Sequence, residues 1–374
     1  MTIPSPEVSP EAKSAERITA VRKTGRAATV IFLAGLAACA TFHYGPRPDG
    51  RPVPAHHGRR AFVNPQRTEL RGFGAFLRWR LGLAPEEPRP IPAAESAVYE
   101  PEVVSPDLAL LRRPDPAGIQ VTWIGQSTFL VQVEGLNILT DPVFSERASP
   151  VGFAGPRRLA PAGVALADLP RVDVVLISHD HYDHLDKAAV RTLGNAPRYF
   201  IPLGLGRWLA AAGVHRFSEL DWGQTSSVGS LTVHAVPAQH FSGRTLGGFN
   251  RTLWTGWVVE TGRGRLYFAG DTGYGGHFRE IAARFSPLRV AFLPIGAYRP
   301  RWFMGPMHLD PPEAVRAFRE LGAEVGLAMH WGTFRQAEEP PAEPPLYLKK
   351  ALRESGLDRD AIRVLKFGQT ISLE

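Results

Sequence analysis

Residues 178–186 read Ser-His-Asp-His-Tyr-Asp-His-Leu-Asp, directly after a mostly apolar run from Val172 to Ile177. The run reads as a buried β-strand. Three histidines and three aspartates in nine positions at the end of such a strand are costly to bury unless something pairs with them. A metal cation is the partner this residue set suits, so the fold has to bring this strand end to further donors. Three stand just beyond other apolar runs: His240 after Leu231–Val236, Asp271 after Leu266–Gly270, and His330 after Val325–Met329. A residue just past a strand end sits at the sheet edge, where separate strands converge on a site.

The donors collected this way are His179, His181, Asp183, His184, His240, Asp271 and His330. They exceed the four that a tetrahedral zinc takes. They suit two metals about 3.5–4 Å apart with a carboxylate between them. The expected division is His179, His181 and His240 on one ion, Asp183, His184 and His330 on the other, and Asp271 as the bridge. Nitrogen and carboxylate donors suit zinc, and iron or manganese as well. His215 and His234 stand alone and read as ordinary structural histidines.

Around these donors the pattern is strand-rich. Strands are expected at Ile119–Ile124, Thr128–Val133, Asn137–Thr140, Val172–Ile177, Arg198–Ile201, Leu231–Val236, Leu253–Val259, Arg265–Ala269 and Val290–Pro294. The Leu253–Val259 strand would carry Trp254 and Trp257 into the core. Helices are expected at Lys187–Leu193, Leu205–Ala212, Pro312–Leu321 and Leu346–Ser355. Many strands with few helices between them predict layered sheets covered by helices, in one domain over 101–374. With 44% hydrophobic residues the chain can fill such a core. Residues 39–100, rich in Pro, Arg and Gly, read as a linker and an extended wrapping segment, with one helix within Leu70–Leu83.

The N-terminus reads as an address. Residues 27–42 are apolar, short of the roughly 20 residues of a spanning helix, and Arg22, Lys23 and Arg26 precede them. That is the charged and apolar pattern of a secretory signal. It runs into Leu36-Ala37-Ala38-Cys39, which resembles a bacterial lipobox, and Cys39 is the chain's single cysteine. A lone cysteine excludes an internal disulfide framework and a cysteine-built zinc site. The expectation is a signal peptide over 1–38 and a lipidated Cys39 holding the protein at the bacterial cell envelope. Ala40 rather than aspartate favours the outer membrane. A short uncleaved anchor is the alternative, and translation from Val21 would leave a more usual charged region. A net charge of +7 suits anionic surfaces, phospholipid or nucleic acid, without choosing between them, and is by default a solvated face; no nucleic-acid motif is present.

With the later His, Asp and His, the His179-x-His181-x-Asp183-His184 motif resembles the signature of the metallo-β-lactamase superfamily. The resemblance implies an α/β (α+β) fold, a four-layer αββα sandwich with two metals at the sheet edge. Longer stretches, at 139–150, 176–186, 268–274, 294–304 and 330–334, are similar to the N-acylphosphatidylethanolamine-hydrolysing phospholipases D and their bacterial relatives, from about His56 to Glu374. This implies a phospholipid substrate, hydrolysed to N-acylethanolamine and phosphatidic acid. Asp271 would then orient the attacking water and take its proton. His308 would supply a proton to the leaving amino alcohol or stabilise the phosphorane. Tyr298, Trp302 and Phe303, beside Arg299 and Arg301, read either as the lining of an entrance for acyl chains and phosphate or as loop packing. Two positions depart from the family: Gln126 replaces a frequent histidine, and Arg299 replaces an acidic residue of the mammalian enzyme. Both bear on substrate choice. Other readings stay open: a lactonase or cyclic phosphodiesterase of the same fold, or a metal-binding envelope lipoprotein without activity.

Overall fold

Successive strand residues point to opposite faces, and in this chain both faces are apolar. Along β1 (Ile119–Gly125), Val121 and Trp123 enter one core and Ile124 enters another. Along β2 (Thr128–Val133), Phe129 and Val131 enter the first core and Leu130 the second. Strands buried on both faces belong to a sheet covered on both sides. The computed structural model describes residues 53–64, 70–84, 87–95, 97–245 and 247–374. The expected leader, its apolar run and Cys39 lie outside them.

β3 (Leu136–Thr140), β4 (Val174–Leu176), β5 (Arg198–Pro202), β6 (Phe217–Leu220) and β14 (Thr370–Leu373) complete the first sheet, in the order β14-β1-β2-β3-β4-β5-β6. The second sheet contains β7 (Thr225–Val228), β8 (Leu231–Val236), β9 (Gly256–Thr261), β10 (Gly264–Phe268), β11 (Leu288–Pro294), β12 (Ala323–Met329) and β13 (Ile362–Arg363), in the order β13-β12-β11-β10-β9-β8-β7. Each sheet is an antiparallel meander that continues into parallel strands. Parallel neighbours need crossovers, and helices supply them. Helices Lys187–Leu193 and Gly206–Ala211 bring Val190 and Leu209 onto the first sheet. Helices His277–Phe285, Pro311–Leu321 and Glu343–Glu354 bury Phe278, Phe318 and Leu348 on the second. The result is the four-layer αββα sandwich.

The sheets touch at their carboxyl edges. A Cβ on Gly270, just after β10, would lie 2.5 Å from Ser178 Cβ, just after β4. Gly270 also has φ of +59°, which favours glycine. Trp257 Nε1 donates to Ile177 O at 3.0 Å and Thr255 N to Ser178 O at 2.9 Å, bonding the sheets together there.

Some elements differ from expectation. The strand expected from Leu253 begins at Gly256. Leu253 and Trp254 instead pack with Phe62 and Ala238, and Trp254 Nε1 donates to Ala238 O. The last helix begins at Glu343, not Leu346, because a proline fits the first turn of a helix. Helix His277–Phe285 was not expected, although Phe278, Ile281 and Phe285 carry helical spacing. The helix expected within 70–83 spans Phe73–Arg80. Among the described residues no helix is long and apolar enough to cross a membrane.

Candidate metal centre

The turn after β4 delivers His179 and His181, and the long connection after β8 delivers His240. His181 Nδ1 lies 2.8 Å from His179 Nε2 and 3.2 Å from His240 Nε2. Their hydrogen bonds set two of the tautomers. Ser178 Oγ donates to Asp141 Oδ2 at 2.6 Å, so it accepts from His179 Nδ1 at 2.9 Å. His240 Nδ1 donates to Met307 O at 2.9 Å. Both Nε2 atoms are then bare lone pairs, and one proton on His181 Nδ1 can serve only one of them. Burial, the largest effect, pushes all three imidazoles down, His181 to about 3 and His240 to about 4. Three neutral nitrogens converging on one point form a donor set for a cation.

The second group surrounds two carboxylates. Asp183 Oδ2 lies 3.1 Å from both His184 Nε2 and His330 Nε2. Asp271 Oδ2 lies 3.2 Å and 3.0 Å from the same two atoms. His184 Nδ1 donates to Asp141 Oδ2 at 2.7 Å. Its Nε2 makes no hydrogen bond, despite the carboxylate oxygens nearby. Burial raises both aspartates, but His184 and His330 outweigh it and hold them well below the usual carboxylate range. Burial opposes charging the two imidazoles, yet Asp271 and Asp183 drive His184 well up and His330 up to about 9. Without a metal, protons on these imidazoles must balance the carboxylates, and a divalent cation would take their place.

Asp271 Oδ2 is also 3.9 Å from His179 Nε2 and 3.8 Å from His240 Nε2. It therefore lies between the two groups, and each group keeps its donor atoms within 4.8 Å of one another. The residues fit a pair of cations sharing one carboxylate. His308 Nδ1, buried and without a hydrogen-bond partner, is 3.9 Å from the same oxygen.

A sequence profile of the β-lactamase superfamily domain matches residues 136–331. The chain belongs to the metallo-β-lactamase superfamily. It is 31% identical over 257 residues to a metal-dependent hydrolase of Methanopyrus kandleri, covering 67% of this chain and 99% of that protein. It is 45% identical over 262 residues to an uncharacterized protein of Mycobacterium tuberculosis, covering 68% of this chain and 66% of that one. It is 42% identical over 231 residues to an N-acyl-phosphatidylethanolamine-hydrolyzing phospholipase D of Caenorhabditis elegans, covering 58% and 65%. The chain thus spans just under two thirds of the length of the last two relatives. A solved metallo hydrolase of Ignicoccus hospitalis shares the fold with a TM-score of 0.53, at 24% identity over 69% of this chain and 99% of that one. The superfamily to which the chain belongs includes proteins named metal-dependent hydrolases, such as the Methanopyrus kandleri relative.

The remaining residues singled out from the sequence divide. In this metallo-β-lactamase fold Gln126 is buried at the centre, where Nε2 donates to Asp183 Oδ2 and to Gln336 Oε1, each at 2.9 Å. It holds a candidate ligand. Loop packing describes Tyr298 and Phe303: Tyr298 donates to Glu343 Oε1, and Phe303 packs on Phe76 and Trp79. Both are buried, so neither lines an open entrance. Trp302 is half-buried beside Phe303. Arg301 Nη2 donates to Glu313 and its Nη1 to His308 O. Arg299 is also buried, facing Glu343 and donating to Glu87 O, so its charge is taken up internally. His234 pairs with Glu260, as a structural histidine does, and His215 is exposed. Sequence reasoning did not single out Asp141, Met307 O or Asn64. Asp141 lay within a quoted family stretch, but no spacing marked it as a partner of His184.

Proposed function

We propose that this protein is a metal-dependent hydrolase, a phosphodiesterase of phospholipase D type that cleaves N-acylphosphatidylethanolamine-like phospholipids to N-acylethanolamine and phosphatidic acid. The observation that carries the reading is the unpaired His308 Nδ1 beside Asp271 Oδ2, the oxygen between the two donor groups. Two cation sites, a shared carboxylate and a free imidazole suit attack of water on an anionic phosphorus. The likeness to the C. elegans phospholipase supports the substrate class.

His179, His181 and His240 would hold one divalent cation and Asp183, His184 and His330 a second, with Asp271 between them; zinc, iron or manganese there would supply Lewis acidity and bring the pKa of a water towards neutrality. Asp271 orients the attacking water, and its unpaired Oδ1 accepts the proton. With its proton on Nδ1, His308 hydrogen-bonds the phosphoryl oxygen as charge develops there. The leaving oxygen takes up the proton held by Asp271, so water is divided between the two products. Gln126 keeps Asp183 in place throughout. A lipid anchor on Cys39 would hold the enzyme where such a substrate is concentrated.

The test is product analysis of the zinc-loaded protein with N-acylphosphatidylethanolamine in mixed micelles. Wild type should release N-acylethanolamine and phosphatidic acid, and Asp271→Asn should release neither. Turnover of an aryl phosphodiester without turnover of the lipid would discard the lipid. No turnover of either by metal-loaded protein would overturn the phosphodiesterase.

A further inference from the structure

Residues 53–64 lie outside the profile match at 136–331, yet they reach the metal centre. Asn64 Nδ2 donates to His240 O at 2.9 Å, and Asn64 Oδ1 accepts from His240 N at 3.0 Å. One side-chain amide thus holds both backbone polar groups of a candidate ligand. That fixes the backbone of His240 and hence the direction of its ring, which Met307 O orients from the other side.

His240 needs such support because it stands in the long connection between β8 and β9, with no sheet ladder of its own. The same N-terminal segment grips that connection again. Phe62 N donates to Asn250 O at 2.8 Å, and Asn250 Nδ2 donates to Phe62 O at 3.2 Å. The Phe62 ring is buried against Ala238, Leu253 and Trp254. Upstream, His56 Nε2 and His57 Nε2 lie 2.6 Å and 2.9 Å from the two oxygens of Asp221, just past β6. The segment is therefore tied to the first sheet at one end and to the His240 connection at the other.

We infer that Asn64 is a positioning residue for His240, and that the segment 53–64 is a working part of the metal centre. The inference rests on the reading of the two donor groups as metal sites. Asn64 hydrogen-bonds His240, a member of the His179–His181–His240 group, so its effect should fall on one ion of the two.

The test is metal affinity of the full chain, stripped with a chelator and titrated with zinc, and with cobalt(II) for its absorption spectrum. Wild type is compared with Asn64→Ala and Asn64→Asp. An aspartate there still accepts from His240 N but cannot donate to His240 O. Asn64→Ala should weaken one ion by about 10–100-fold, the usual effect of losing a partner that orients a ligand. Asn64→Asp should weaken it less, and the second ion should be unchanged in both. Wild-type affinity for both ions in both variants would overturn the inference alone. Equal weakening of both ions, together with lower thermal stability, would overturn it in favour of a general scaffold role. A wild-type chain that takes up no zinc or cobalt would overturn the metal-site reading and this inference with it.

Discussion

Asp141 stands behind two of the candidate ligands, His184 directly and His179 through Ser178, and the centre depends on it. Its Oδ1 accepts from Ser178 N at 2.7 Å, while Oδ2 accepts from Ser178 Oγ at 2.6 Å and His184 Nδ1 at 2.7 Å. These bonds fix the tautomer of His184 directly and that of His179 through Ser178. In Asp141→Asn, the amide cannot accept all three. Metal affinity should fall by about 10–100-fold, as chelator competition would measure; unchanged affinity would mean that His184 is held by other contacts. A second residue-scale effect concerns pH. Burial pushes His277 down to about 3. The folded chain then refuses a proton that the unfolded chain binds below its ordinary value, near 6.5. This contribution to stability is whole above pH of about 6.5 and shrinks as pH falls towards about 3. Glutamine does not titrate, so His277→Gln should lose less stability than wild type on moving into mild acid. Urea unfolding at neutral and mildly acidic pH measures this, with a difference of up to a few kcal/mol. Parallel losses in the two proteins would assign the acid sensitivity elsewhere.

At the scale of elements, helix Pro311–Leu321 secures the loop that carries His308. Asp310 accepts from Glu313 N at 2.9 Å, Glu313 Oε2 accepts from Asp310 N at 3.2 Å, and Gly322 ends the helix with φ of +62°. This capping box starts the helix where the chain must turn. Its Glu313 carboxylate also accepts from Arg301 Nη2 at 2.7 Å, and Arg301 Nη1 donates to His308 O at 2.9 Å. Helix start, Arg301 and His308 are therefore linked by one chain of hydrogen bonds. Arg301→Ala should lower kcat, by up to about a hundredfold if His308 shifts by roughly an ångström, while metal content stays at the wild-type level. An unchanged kcat with a raised KM would show instead that Arg301 meets the substrate.

At the scale of the whole molecule, two sheets of matching topology place their carboxyl edges side by side. The loops after β4 and β10 touch where Gly270 leaves no room for a Cβ. β14, which follows the second sheet's strands in sequence, crosses back to pair with β1 at the edge of the first sheet. The proposed lipid anchor belongs to this scale too, because it would decide where the assembled domain works. Two acyl chains hold a protein stably to a bilayer, whereas one does not. Cys39→Ser should therefore move the protein from the membrane fraction to the soluble fraction of its cells and abolish labelling by radioactive fatty acid. Labelling retained in that variant would refute the lipobox.

Donors at His179, His181, Asp183 and His184 pointed to a candidate metal-binding turn by spacing alone, since so many polar groups after an apolar strand need a shared partner. The strands were legible for the same kind of reason. Thr128–Val133 and Leu231–Val236 were delimited to the residue because polar or turn residues bound them on both sides. Phe278, Ile281 and Phe285 carried a helical period that was there to be read. Other roles had no local sign. Asp141, Asn64 and the carbonyl of Met307 are ordinary groups until segments far apart in sequence meet. The same holds for burial: Tyr298, Arg299 and Phe303 look like surface recognition residues until Glu343 and helix Phe73–Arg80 close over them. The residues by themselves determined which donors exist and at which strand ends they stand, because periodicity and spacing are local. Only the tertiary structure decided which nitrogen of each histidine faces the centre and which groups hold it there, because hydrogen-bond partners are set by packing.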